Sequence, residues 1–238
     1  MPVTIIPVTT KKEMKQFICF NYALYKDSPY AVPELYTDVR DTLDPNKNAA
    51  FEFCEAQPFI ALRDGKVVGR IVAIINHKAN SVWNKKAVRF GWVDFIDDVE
   101  VVDALFATVE QWGRERGMTE AHGPLGFTDF DPEGMLVEGF DRIGTMATIY
   151  NYPYYPVHLE RMGYVKDVDW MEYLLTAPEA LHEKPARITS IVKEKYGLRV
   201  VKYTSHSKLA RGRGVAIFEL LNEGYADRYG FPSLAPRQ

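Results

Sequence analysis

Only two cysteines occur in this chain of 238 residues, Cys19 and Cys54, and neither sits at a C-x-x-C or Cys/His spacing. That excludes a disulfide-stapled scaffold and a zinc ribbon or finger; the pair reads as reduced, structural thiols of a cytoplasmic protein. Long hydrophobic runs are also missing: nothing approaches the ~20 consecutive apolar residues that a membrane span requires. The first residues, MPVTIIPVTT, are too short and too interrupted by proline for a signal peptide, so no membrane partner is expected. Charge of one sign is lacking as well. Twenty-nine Lys+Arg against 32 Asp+Glu leave a formal net charge of -3, which gives no general attraction to nucleic acid. His77 and His122 follow or lie in predicted strands without a partner at ligand spacing, so no metal is expected either. What remains is an ordinary globular composition, 47% apolar and 26% charged, in a chain long enough to bury a full core.

The periodicities alternate between two and 3.6. Residues 3–8 (VTIIPV) read as an edge strand because Pro7 lacks an amide donor. Thr10 and Glu13 form a capping-box pair, and Met14, Phe17, Ile18, Asn21, Leu24 and Tyr25 recur on one face, predicting a helix over 11–26. Residues 27–50 hold three prolines and many polar groups, an excursion with one or two helical turns at most. Asp64-Gly65 between the apolar runs 57–62 and 66–76 marks a hairpin. Residues 86–96 predict a strand, 98–116 a helix ending near Gly117, 119–125 a short strand, and 126–148 a Gly-rich acidic connection. The element order implies a mixed α/β sheet with helices on both faces.

Residues 149–175, IYNYPYYPVHLERMGYVKDVDWMEYLL, read as one unit: an aromatic lead-in, a short helix, Gly163 as its C-terminal residue, then an apolar strand. Val157, Leu159 and Met162 are expected to face the core, and His158, Glu160 and Arg161 to face out. This pattern resembles the last motif of the GNAT superfamily of N-acetyltransferases. Asp41–Glu52, Gly69–His77, Trp112–Met118, Gly123–Phe127 and Leu136–Asp141 are similar, more closely, to a bacterial group of GNAT-related proteins of tandem build. The resemblance covers about residues 3–175. It implies a GNAT-like acyl-CoA N-acyltransferase fold, acetyl-CoA or another acyl-CoA as cofactor, and a small-molecule amine as acceptor.

After residue 178 the composition changes. Residues 178–197 predict a linking helix. Residues 198–238 supply a new strand (LRVVKYT) and a helix over 208–229, resembling the first strand and helix of the chain. The expected organisation is a GNAT-like domain over 1–177, the linker, and the incomplete start of a second unit, on which reading the chain stops early. A tail folding back on one domain stays open. Phe218, Leu221 and Tyr225 would need a partner surface, with a homodimer through this strand and helix as one candidate.

The resemblance also nominates a site. The family's phosphate turn maps onto Asp97–Val102, with Phe95, Ile96, Asp98, Val99 and Asn151 as cofactor contacts. Its two glycine positions fall on Glu100 and Val102, and the three carboxylates there oppose a pyrophosphate or simply cap the next helix. A second literal match, Arg211–Ala216, has only 22 residues after it. The family's tyrosine acid falls on Leu159, which holds no proton, so Tyr155 or His158 is expected to replace it. Asp94 is the candidate base, although a place on the solvent side of the sheet explains it equally. The 90–96 strand amides would form an oxyanion hole. Tyr152 and Tyr154 are expected as cleft walls, with Asp129 and Asp131 as contacts to a cationic group. A calcium loop at Asp129–Gly134 is excluded by Pro132 and by Phe140 at the twelfth position. The second functional class consistent with these departures is a binding or regulatory module that keeps the fold without the chemistry.

Overall fold

The computed structural model describes residues 2–145, 147–176, 183–229, 231, 233 and 234. Strand β1 (Thr4–Pro7) leads into helix α1 (Lys11–Leu24). Thr10 Oγ1 accepts from the Glu13 amide at 3.2 Å and the Glu13 carboxylate accepts from the Thr10 amide at 2.9 Å, which is the capping box expected. The excursion that follows holds a two-turn helix, α2 (Tyr36–Thr42), and a 3₁₀ turn at Ala49–Glu52. Strands β2 (Cys54–Arg63) and β3 (Lys66–Asn76) form the hairpin. Asp64 and Gly65 both have positive φ, 53° and 74°, as a two-residue turn matched to strand twist requires. Next come α3 (His77–Val82), β4 (Ala87–Phe95), α4 (Val99–Arg114), β5 (Glu120–His122) and α5 (Tyr154–Arg161). Helices α6 (Glu183–Lys195) and α7 (His206–Gly224) complete the order.

The five strands lie in sequence order, antiparallel from β1 to β4 and parallel between β4 and β5. As far as α5, this mixed sheet follows the element order expected from the sequence. Alternation along the central strands sends side chains to two cores. Phe59, Ala61, Ile71, Ala73 and Ile75 meet Val102, Leu105, Phe106 and Val109 of α4 on one face. Ile60, Val72 and Ile74 meet Phe17 and Ile18 of α1 on the other.

A bulge in β4 breaks this alternation where it matters. Val72 pairs with Gly91 but Arg70 pairs with Asp94, so β4 carries one extra residue, and Trp92 there adopts φ 43°. Left-handed backbone at a bulky residue is strained and persists only where the surroundings fix it. The extra residue resets the strand's parity. Asp94 consequently turns toward α1 and Arg70, while Phe95 enters the α4 core. On the other side, β5 pairs only as far as Arg89 with His122, and the Leu125 amide then bonds Phe90 O at 2.8 Å. At the end of β4, Phe95 is met by the hydroxyls of Tyr154 and Tyr155.

Several expected elements differ. The apolar run after Gly163 forms no strand: residues 164–176 carry no regular structure, and Leu174 and Leu175 are exposed. Residues 198–204 likewise form no strand, although α7 follows as expected. High β-propensity gives no strand without a neighbour to complete the hydrogen-bond ladder. Within α5, Val157 is exposed and His158 is buried, the reverse of the expected facing, because His158 packs on Phe95 and Tyr154. Leu159 is buried as expected.

The α4 face should dominate stability. Phe106 is fully buried and contacts the Phe90, Phe95 and Tyr164 rings edge-on. Phe106→Ala is expected to cost about 3–5 kcal/mol, read as a lower urea midpoint at unchanged slope.

Candidate active site

Asp94 stands at the C-terminal end of β4 and is almost fully buried, so the solvent-facing alternative is corrected. Its Oδ2 accepts from Arg70 Nε at 2.7 Å and Asn21 Nδ2 at 3.0 Å. Its Oδ1 lies 2.9 Å from the Tyr25 hydroxyl and 3.1 Å from that of Tyr155, and the two hydroxyls are 2.7 Å apart. Each phenol has one proton, so only two of those three contacts carry a proton at a time. The Tyr155 oxygen also accepts the Phe95 amide at 3.1 Å. Burial, followed by the Asp94 charge, holds both phenols well above their ordinary range, so both stay protonated.

Arg70 is the second buried charge. Its Nη2 donates to Glu34 Oε2 at 2.8 Å, while Nη1 is enclosed with no hydrogen-bond partner. Burial alone would lower the guanidinium, but the Glu34 and Asp94 charges outweigh it and raise it, so one cation serves two carboxylates. These groups border a cavity of about 490 Å³ between α1, the 28–36 segment, β4 and residues 148–151. Asn21, Tyr25, Arg70, Asp94 and Tyr155 line it, and Tyr22, Tyr36, Trp92 and Tyr150 supply aromatic wall.

The residues expected to hold an acyl-CoA are otherwise engaged. The Tyr154 hydroxyl donates to Phe95 O at 2.7 Å, and the Phe95 amide is taken by Tyr155. Ile96 donates its amide to Val68 O at 3.1 Å. In the turn, Asp98 caps α4 through the Val101 amide at 3.2 Å. Asp98 and Glu100 both bind Arg63, at 2.7 and 3.0 Å for Asp98 and 2.8 Å for Glu100. The Arg63 hydrogen bond, ahead of other effects, holds the Asp98 carboxyl down to about 2. Val99 is an exposed first-turn residue. His158 Nε2 lies 2.8 Å from Asp97, and its buried Nδ1 has no partner. As paired here, the turn does not fit a pyrophosphate: it presents three carboxylates, and the nearby Arg63 is already held by two of them.

Asn151 is a clamp, bonding the Leu136 amide at 2.7 Å and Leu136 O at 3.1 Å. Tyr152 donates to Leu24 O at 3.2 Å. Neither Tyr152 nor Tyr154 lines the cavity with Asp129 and Asp131: Asp131 caps the Thr128 amide at 2.9 Å, and Asp129 lies 3.9 Å from Arg228. Among the described residues, no group of three or more His, Cys, Asp or Glu is placed to hold a metal, and no helix is long and apolar enough to cross a membrane. Asn21, Tyr25, Glu34 and Arg70 were missed as site residues. The available signals were polar groups on the apolar stripe of α1 and one arginine inside the run VVGRIVAIIN.

No family model matches the chain. It is 30% identical over 229 residues to Protein YghO of Escherichia coli (strain K12), covering 93% of this chain and 56% of that protein. It is 29% identical over 231 residues to a bacterial ceramide synthase of Caulobacter vibrioides (strain NA1000 / CB15N), covering 96% and 59%. The chain thus spans little more than half the length of the curated relatives it matches. Among solved structures, a tandem GNAT protein from the clavulanic acid biosynthesis pathway aligns at TM-score 0.46 and 15% identity, over 68% of this chain and 43% of that one. An aminoglycoside acetyltransferase from an uncultured soil metagenomic sample aligns at 0.44 and 12%, over 73% and 97%.

A neighbouring acid gives a pH test. Burial, followed by Asp129, pushes the Glu133 carboxyl up to about 7. The folded state therefore keeps this proton to higher pH than the unfolded chain, where Glu titrates near 4.3. That stability is present in full below about pH 4 and is lost as pH rises through 7. Glu133→Gln should match the wild type in melting temperature near pH 4 and exceed it above pH 7. After allowance for solvent screening, the gain is about 1–2 kcal/mol.

Proposed function

We propose that this chain is a GNAT-type domain of an acyl-CoA-dependent N-acyltransferase acting on an amine. The observation that carries the reading is the Asp94–Tyr25–Tyr155 cluster at the end of β4, opening on an aromatic cavity. Acyl transfer joins an amine nitrogen to a thioester carbonyl, breaks the carbon–sulfur bond, moves one amine proton away and leaves a thiol. Tyr155 is the group suited to hold the proton for sulfur, since its buried phenol stays protonated at neutral pH. Asp94 orients Tyr155 and Tyr25. Because Arg70 and Asn21 already occupy Oδ2, it acts chiefly as an anchor for those hydroxyls. The name of the Caulobacter relative supports amide formation, as ceramides are N-acylated amines.

A second reading is a binding module that keeps the fold without acyl transfer. It is favoured by the Arg63–Asp98–Glu100 pairing and by the closed amide and carbonyl of Phe95. The two readings separate by mass spectrometry of amide product after incubation with acetyl- to palmitoyl-CoA and a panel of amines. Acylation is expected, with Tyr155→Phe lowering kcat by about 10²-fold or more, and melting temperature serving as the folding control. Neither amide nor binding heat with any acyl-CoA at millimolar protein overturns the enzyme reading. On the second reading, Asp98→Gly with Glu100→Gly frees Arg63 and creates measurable CoA affinity by calorimetry. Because Gly is itself tolerated at an N-cap, loss of the Asp98 cap should cost only about a few tenths of a kcal/mol of stability.

A further inference from the structure

The cavity holds two carboxylates that differ in how fully they are used. Asp94 is met by four side-chain donors. Glu34 accepts a side-chain hydrogen bond from Arg70 at Oε2, and Oε1 takes none among the described residues. Glu34 is also partly exposed while Asp94 is not, so Glu34 is the carboxylate a ligand can reach. With one guanidinium between them, the inner end of the cavity keeps a net negative charge. Lys26 also borders the cavity, but its side chain is largely solvent-exposed and lies 3.8 Å from Asp27, so its charge is screened.

The remaining wall selects the ligand's body. Tyr22, Val32, Leu35, Tyr36 and Trp92 line, together with Glu34, a space of about 490 Å³, within the range of drug-sized sites. Aromatic faces beside a carboxylate favour an organic cation over a neutral or anionic molecule. We propose that this cavity binds a primary ammonium ligand with an apolar body, and that Glu34, not Asp94, anchors the ammonium. This deepens the acyltransferase reading and rests on it for the ligand's role as acceptor, though not for its binding.

Calorimetry on the full chain with phenethylamine, its neutral isostere 2-phenylethanol and the anionic 3-phenylpropanoate tests the inference. Phenethylamine is expected to bind at least tenfold more tightly than the alcohol, and the carboxylate not at all. Glu34→Gln should weaken phenethylamine about tenfold and leave the alcohol unchanged, with melting temperature as the folding control. Equal binding of amine and alcohol overturns the inference without reference to any variant, as does unchanged amine affinity in a folded Glu34→Gln. If the amine binds through Glu34 but no acyl-CoA yields an amide, the acyltransferase reading falls and this inference stands. If amides form while Glu34→Gln keeps full amine affinity, only this inference falls.

Discussion

The buried pair of Arg70 and Asp94 is the constraint around which this domain is arranged. Two charges removed from water on adjacent strands are tolerable only when their hydrogen bonds are nearly all met. Asn21 from α1, Tyr25 from the end of α1, Tyr155 from α5 and Glu34 from the long excursion each meet part of that demand. Three segments outside the strand pair therefore converge on one point. The cavity is the space left between them. Removing either charge alone would strand the other in low dielectric, a larger penalty than the pair's own net contribution.

The same economy explains why the strand end does not look like an open cofactor groove. An edge that loses its neighbour must find partners for its amides and carbonyls. At Phe95 the Tyr154 and Tyr155 hydroxyls supply them. At the following turn, acids suit the positive end of α4, and Arg63 offsets their mutual repulsion. Fold and chemistry thus separate here. The sheet is the mixed one expected from the sequence, while the polar groups of its cleft are satisfied from within the chain.

The alternating elements were readable because their signals are local. Thr10 with Glu13, Asp64 with Gly65, and the apolar stripe from Val102 to Val109 each determine their own conformation. The acidic turn was readable as a helix cap for the same reason. Tyr155 and Asp94 were legible as candidates by residue type, but their meeting was not, since it depends on the bulge at Trp92, which no local propensity announces. Arg70 and Glu34 carry no motif, and only the register of β3 against β4 gives them a purpose. His158 was misplaced on α5 because a helix of eight residues is too short for periodicity to fix its buried side. Residues 164–175 and 198–204 have strand-like sequences, but a strand is a property of two partners, and a single sequence shows one.

The extra residue in β4 makes the site depend on an irregularity of the strand that side-chain substitution would not reveal. Straightening the strand with every residue kept would rotate everything after Gly91 by half a turn. Asp94 would then point into the aromatic layer beneath α4, and Val93 would take its place opposite the guanidinium. Excising Trp92 would instead give a regular ladder with Asp94 still opposite Arg70. The carboxylate's position is thus set by a count of residues and by no single side chain of the strand.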